Sequence, residues 1–426
     1  MSSLFVFAEN QLVGTLQRDS ELVYSFLYEE AWCKSADAFP LSLAMPLSQQ
    51  NYGNKIALSF FENLLPEGVL RENLEQRQKI KGTFDLLAQF GQDCAGAMVI
   101  STERNYLRSI DENKFVEIEM TQIHQAIEEK ESVAEVIAGL DAAYLSLAGA
   151  QDKFAAIYKD GKFFLPTQGA PTTHIVKTPI VRQGIKDSVF NELYCMELAR
   201  SLGLNVPPCF VVRGAQPLYV VERYDRMADR GGKIRRLHQQ DFCQAQGVTS
   251  EMKYEAKGGP SLKNNYDLIV SNVTVSKRLE SIHQFLDWLS FNLLIGNNDS
   301  HSKNISLLLR TGKIELAPMY DLLCTALYPS LTKEFSFQIG DLADFSKMGK
   351  NQFEEMEKQL GLKGKTMQDR FQSLHDLMIE KKDQVATKIL TEHPEAKIVH
   401  RISELIGDRA KGFRNQKALR PMPRRK

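Results

Sequence analysis

The chain has 426 residues, 43% hydrophobic and 25% charged, and its 53 Lys plus Arg balance 53 Asp plus Glu for a formal net charge of zero. That length gives room for two or three domains with real cores, and the composition is that of an ordinary globular protein, which excludes wholesale disorder. Zero net charge also excludes a global electrostatic pull toward nucleic acid or membrane, so any such contact needs a local patch.

The six cysteines, Cys33, Cys94, Cys195, Cys209, Cys243 and Cys324, are scattered without a Cys-x-x-Cys pair. They signal neither a zinc site nor a disulfide framework. The start, MSSLFVFAENQLVGTL, has no basic n-region and no sustained apolar h-region, and no run of about 18 apolar residues occurs anywhere. A reducing, cytoplasmic location with no membrane contact is expected.

In chain order, residues 4–16 read as a hairpin and 23–27 as a third strand, so the chain opens with a small β-rich unit. The segment 55–90 is helical in period, with Pro66 placed to open a second helix, and AGAMVIS at 95–101 returns to strand character. A soft boundary falls near residue 105, where the sequence turns polar and charged. From Tyr144, LSLAGAQDKFAAIYKDGKFFLP reads as strands around a tight loop and a turn at 159–161, and 173–177 adds a further strand. A small β lobe covering a nucleotide would look like this. Ala148, Gly149, Ala150 and Gln151 are small enough for backbone amides to approach phosphates, although a hairpin turn with small residues reads equally well.

Lys177 ends the strand HIVK, where an ammonium either reaches a phosphate site or is simply solvated. Glu192 follows in a helix, as an orienting partner for that lysine or as a first-turn acid favouring the helix dipole. After Pro207 and Pro208 come the strands CFVV and LYVVERYDR. The second reaches Glu222, Arg223 and Tyr224, where the backbone would meet an adenine edge, while Asp225 and Arg226 read as an exposed salt-bridged turn. From Leu237 onward the sequence is mostly helical. The C-terminal stretch from Arg401 to Lys426 is basic, a solvated tail or a contact for nucleic acid or an acidic partner.

The most informative stretch is LLIGNNDSHSKNISLLL at 293–309, which carries Asp299 and, five positions later, Asn304. Phosphoryl transfer needs a carboxylate to take the attacking hydroxyl's proton and an amide oxygen to help hold magnesium. Leu279, Ile282, Phe285, Leu286, Leu289 and Leu293 predict an apolar-faced helix that runs into this loop and ends at Gly296. Downstream, two strands around Thr311-Gly312 fold the chain back, bringing Asp321 beside the first pair. Asn297, Asn298, Asp299 and Ser300 also suit a plain turn, but a turn does not require the return of Asp321.

Across nearly its whole length the chain resembles the HipA family of bacterial serine/threonine kinase toxins. The likeness rests on FFENLLPEG, FDLLAQFGQD, LSLAGAQDK, PTTHIVK, NELYCMELA, VERYDR, RLHQQDFCQ, KYEAKGGP, LIGNNDSHSKN and LAPMYDLL. It implies an α+β, bilobal protein-kinase-like fold, related to phosphoinositide kinases. An extra N-terminal β-rich subdomain would span 1–105, a kinase N-lobe 106–225 and a mostly helical C-lobe 226–426. The resemblance implies Asp299 as catalytic base, Asn304 and Asp321 as Mg2+ ligands, and Lys177 as the phosphate-binding lysine. Glu222 and Tyr224 would stand at the adenine hinge, with Ala148, Gly149, Ala150, Gln151, Lys153, His301 and Lys303 completing the ATP-binding set. Ser146 corresponds to a self-inactivating autophosphorylation site, where added negative charge would repel the phosphates that the loop cradles. The implied partners are a helix-turn-helix antitoxin (HipB-like), operator DNA through that complex, and an aminoacyl-tRNA synthetase substrate, the glutamyl enzyme first. The order Asp-x-His-x-x-Asn departs from that of eukaryotic protein kinases, which keeps a lipid or small-molecule kinase as one alternative and a kinase-dead repressor scaffold as another.

Overall fold

The computed structural model describes residues 2–108, 114–129, 131–138, 149, 151–167, 169–340, 342, 344 and 348–415. The chain divides into two compact units, each discontinuous in sequence. The first comprises Met1–Pro179, Phe210–Glu251 and Ser306–Ala317, and the second Ile180–Cys209, Met252–Ile305 and Pro318–Lys426. Sheets gather in the first and long helices in the second, so the fold is α+β.

In the first unit, β1 (Ser2–Ala8), β2 (Gln11–Arg18) and β3 (Tyr24–Tyr28) form the expected meander. With β4 (Asn51–Tyr52) and β5 (Met98–Ser101) they make a sheet of order β4-β3-β2-β1-β5. Alternation puts Leu4, Val6, Leu16, Phe26 and Tyr28 in the core, against Phe60 and Phe61 from the helix Asn54–Glu62. The next helix begins at Gly68, two residues later than Pro66 suggested, because Pro66 is bridged to Gly149 instead.

A second sheet is built from β6 (Phe115–Glu117), β7 (Lys153–Lys159), β8 (Lys162–Pro166), β9 (His174–Lys177), β10 (Cys209–Val212) and β11 (Leu218–Glu222), in the order β10-β11-β9-β7-β8-β6. Smaller sheets pair β12 (Arg226–Ala228) with β13 (Ile234–Arg236), and β14 (His238–Asp241) with the hairpin of β15 (Ser306–Arg310) and β16 (Lys313–Leu316). That hairpin turns at Thr311-Gly312, as the sequence predicts.

A buried ionic network ties these pieces together. Asp93, fully buried, accepts from Arg226 at 2.8 Å, Arg223 at 3.0 Å and Arg236 at 3.1 Å, and also from the Thr172 hydroxyl. Asp225 closes it by accepting from Arg223 at 2.9 Å and from the Gly96 amide at 2.7 Å. The expectation of an exposed Asp225-Arg226 turn is thus corrected: the partner that draws the pair inward, Asp93, lies 133 positions before Arg226 in the chain. A buried charge is tolerated only when paired, and this one has several partners.

In the second unit the helix Thr366–Glu392 packs on Ser188–Ser201, Val275–Ile295 and Ile398–Asn415. Trp288 and Tyr194 are among its fully buried side chains. Among the described residues no helix is long and apolar enough to cross a membrane.

Candidate active site

Each unit carries a group of the residues singled out by sequence. In the first unit, antiparallel pairing of β7 with β9 sets Lys153 directly opposite Lys177. Residues so paired project on the same face of the sheet. Lys177 is buried, with its Nζ 5.8 Å from the centre of the Tyr219 ring on β11, so the reading of a solvated strand-end lysine is set aside. Gln151 is drawn to the same strand ends, its Nε2 donating to the Thr178 carbonyl at 3.1 Å.

Gly149 stands close by. Its φ of +110° is a conformation that side-chain-bearing residues rarely adopt, and a Cβ there would lie 2.9 Å from Lys153 Nζ. Its carbonyl accepts from the Glu67 amide at 3.1 Å, so the PEG segment at 66–68 holds the loop's glycine. Ser146, Ala148 and Ala150 lie outside the described residues, as does the chain from 416 onward with its basic residues. At the expected adenine hinge, Glu222 is exposed at the end of β11. The Arg223 amide donates to the Thr173 carbonyl at 2.9 Å, and the Tyr224 hydroxyl donates to Gln239. Burial pushes the Tyr224 phenol well above its ordinary range.

The second unit holds the acid loop. The helix Val275–Ile295 is capped by Gly296 at φ +72°, as predicted, and a Cβ at Gly296 would come within 2.8 Å of Ala326 Cβ. Beyond it, Asn297, Asn298, Ser300, His301, Ser302, Lys303 and Asn304 are all buried, whereas Asp299 is exposed. The buried members account for the loop's own polar groups. Asn297 Oδ1 accepts from the Asp299 amide at 3.2 Å and its Nδ2 donates to Asn292 Oδ1 at 2.8 Å. Asn298 Nδ2 donates to the Thr332 carbonyl at 3.0 Å. A plain turn has no need to bury so many polar neighbours and present one carboxylate.

Asn304 Nδ2 donates to the Asp299 carbonyl at 3.0 Å, closing the five-residue loop. That bond commits the amide nitrogen and identifies the other end as the oxygen, the ligand-type atom. Asp321 is half-buried at φ +58°, a left-handed conformation outside glycine's usual monopoly. It is held there by its surroundings: the Tyr320 hydroxyl donates to the Lys303 carbonyl at 2.7 Å, and the Cys324 amide to Asn191 Oδ1 at 2.8 Å. The hairpin therefore returns the chain to the acid loop, since residues 320 and 303 touch.

One carboxylate and one amide oxygen, completed by phosphate and water, suit the hard Mg2+ ion. Among the described residues no cluster of three or more His, Cys, Asp or Glu side chains is placed to hold a metal.

Sequence reasoning missed Tyr254. Its hydroxyl donates to Asp299 Oδ1 at 2.5 Å, and its ring meets His301 edge-on with centroids 5.0 Å apart. The only signal was its place in KYEAKGGP, a motif that the sequence reading left without a role. His301 is thus a buried packing partner of that ring, and the Lys303 side chain is buried as well. Asn191, within NELYCMELA, was also missed: it bonds the Cys324 main chain through both ends of its amide.

Comparison with known proteins places these groups in context. The model of the HipA-like C-terminal domain matches residues 145–381, and that of the HipA N-terminal domain matches residues 4–101. The protein Y4mE of Sinorhizobium fredii, described as a candidate kinase, is 32% identical over 416 residues, covering 96% of this chain and 97% of its own. The serine/threonine-protein kinase toxin HipA of Shewanella oneidensis is 31% identical over 347 residues, 78% of this chain and 77% of its own. A solved structure of the Shewanella oneidensis toxin–antitoxin system, HipA with HipB and operator DNA, superposes with a TM-score of 0.83 at 25% identity, covering 98% of this chain and 100% of that one.

Proposed function

The chain belongs to the HipA family and is a serine/threonine protein kinase, and from that premise we propose how its residues divide the work. Asp299 acts as the base that orients the acceptor hydroxyl and takes its proton as the γ-phosphoryl of ATP is transferred. Asn304 and Asp321 would hold Mg2+, which neutralises phosphate charge when bound. Lys177 and Lys153 are assigned to the nucleotide's phosphates, with Gln151 and the loop around Gly149, while Glu222 and Tyr224 are assigned to the adenine.

The observation that carries this reading is the solitary exposure of Asp299 in an otherwise buried loop that Asn304 closes. The paired lysines support it independently. Two ammoniums on one face of the sheet suit the several negative charges of a polyphosphate.

We further propose that Ser146 is a self-inactivating autophosphorylation site, that the chain pairs with a HipB-like helix-turn-helix antitoxin and through it with operator DNA, and that its substrate is an aminoacyl-tRNA synthetase, the glutamyl enzyme first. The likeness to a HipA solved with HipB and DNA supports the antitoxin part. The test is phosphate incorporation from labelled ATP in a cytoplasmic extract. Asp299→Asn should reduce it to background, with mass spectrometry naming the wild-type products. Undiminished labelling by this variant would remove Asp299 from the reaction.

A further inference from the structure

Tyr254 is tied to Asp299 by more than one bond. Its segment turns through Gly258 and Gly259, whose amides donate to the Glu255 and Tyr254 carbonyls at 2.9 and 3.0 Å. A Cβ on Gly259 would lie 1.8 Å from the Met252 carbonyl oxygen, so this turn demands glycine. Ser336 then acts as a clip. Its carbonyl accepts from the Glu255 amide at 3.3 Å, and its hydroxyl donates to the Asn298 carbonyl at 2.9 Å. Glu255 adds a second link by accepting from the Gln338 amide at 2.9 Å. Residues 254–259 and the acid loop are therefore joined through one short stretch, with His301 beneath the Tyr254 ring.

A hydroxyl donating to the carboxylate of a catalytic base is the contact that an acceptor hydroxyl makes before transfer. We propose that Tyr254 is a positioning residue that occupies Asp299 Oδ1 in place of the acceptor, denying that oxygen to water until a protein hydroxyl displaces it. The inference rests on Asp299 being the base. The step that it restrains is hydrolysis. A water oxygen bonds to the γ-phosphorus, the bond from that phosphorus to the oxygen bridging to ADP breaks, and the water's proton passes to Asp299, giving ADP and inorganic phosphate.

The test measures phosphate release by the full chain with ATP and Mg2+ and no acceptor, with dephosphorylated casein as the acceptor probe in parallel. Tyr254→Phe keeps the ring against His301 and should raise acceptor-free release about five- to tenfold, and Ser336→Ala should move it in the same direction. The double variant Tyr254→Phe/Asp299→Asn should return it to the wild-type level or below. Release that is unchanged or lowered by Tyr254→Phe, while Asp299→Asn alone abolishes casein labelling, overturns the inference and leaves the base in place. Casein labelling untouched by Asp299→Asn would overturn the base assignment itself, and the inference with it. A fall in labelling and release together on Tyr254→Phe would make the tyrosine a support of the base and not its occupant, and would also overturn the proposal.

Discussion

Replacing Asp93 with Asn tests whether the network behind the Arg223–Asp225 corner holds β9 and β11 in place. Asp93 is fully buried and faces three guanidiniums, Arg223, Arg226 and Arg236, with Asp225 as the other carboxylate in the network. An amide in its place still accepts one or two of these bonds, but three cations are left with a single anion. Removing one partner of a buried pair costs about 3–5 kcal/mol, and the amide's residual bonding argues for about 3 kcal/mol, a factor of roughly 150.

The assay is native-state hydrogen exchange at the Arg223 amide, which donates to Thr173 across the β9–β11 edge and so reports opening of that corner alone. Protection should fall about 100-fold, against less than about fivefold for Lys263→Ala, which breaks a half-exposed pair with Asp267. Equal effects from the two variants would refute the reasoning. Burial opposes ionisation of Asp93, but Arg226, Arg223 and Arg236 together hold its carboxyl well below the ordinary carboxylate range. A depressed folded-state value means that the stabilisation is present above the unfolded value of about 4 and is lost as pH falls toward the folded one. Wild-type protection should therefore erode below about pH 4, and the Asp93→Asn variant should lack that acid step.

Two further outcomes follow from the acid loop. Asn304→Ala should lower phosphoryl transfer by about 10² and raise the Mg2+ concentration needed for half-maximal rate, whereas a rate unchanged at limiting Mg2+ would remove Asn304 from the metal. Gly296→Ala should destabilise the second unit by about 2–4 kcal/mol, combining a left-handed backbone with the 2.8 Å approach of Ala326, and a thermal midpoint indistinguishable from wild type would contradict the cap.

Local pattern made part of this legible before any coordinates. The apolar face of residues 282–293, the glycine that stops the helix and the Thr311-Gly312 tip are all short-range signals, and each appears where its residues put it, although Leu279, read as part of that face, is exposed. The alternation of apolar residues likewise placed β1, β2 and β3. What stayed hidden was long-range. Asp93 finds Arg223 across 130 positions, and Tyr254 finds Asp299 across 45, with no periodicity to announce either. Asp152 was hidden in another way. Lying beside the small-residue loop and given no role by the sequence, it has a carboxylate that accepts from the Val133 and Ala134 amides at 2.7 and 3.0 Å and caps a short helix earlier in the chain.

The motif stretches separate on the same physical ground. FDLLAQFGQD ends on Asp93, PTTHIVK contributes Thr172, VERYDR contributes Arg223, Asp225 and Arg226, and RLHQQDFCQ begins with Arg236, so these stretches meet in one buried network. Burial and the pairing of opposite charges favour these residue types there whether or not a reaction takes place. The acid loop is different, because Asn297 and Asn304 hold Asp299 through its amide and carbonyl and leave its carboxylate exposed. Asp321 makes a related point through its backbone. A left-handed φ of +58° is more comfortable for glycine or asparagine, and the contacts of Tyr320 and Cys324 on either side fix the main chain around it. Asp160 and Asp187 take the same left-handed backbone at φ +53° and +55°, so what sets Asp321 apart is its neighbour Tyr320, whose bond to the Lys303 carbonyl returns this stretch to the acid loop.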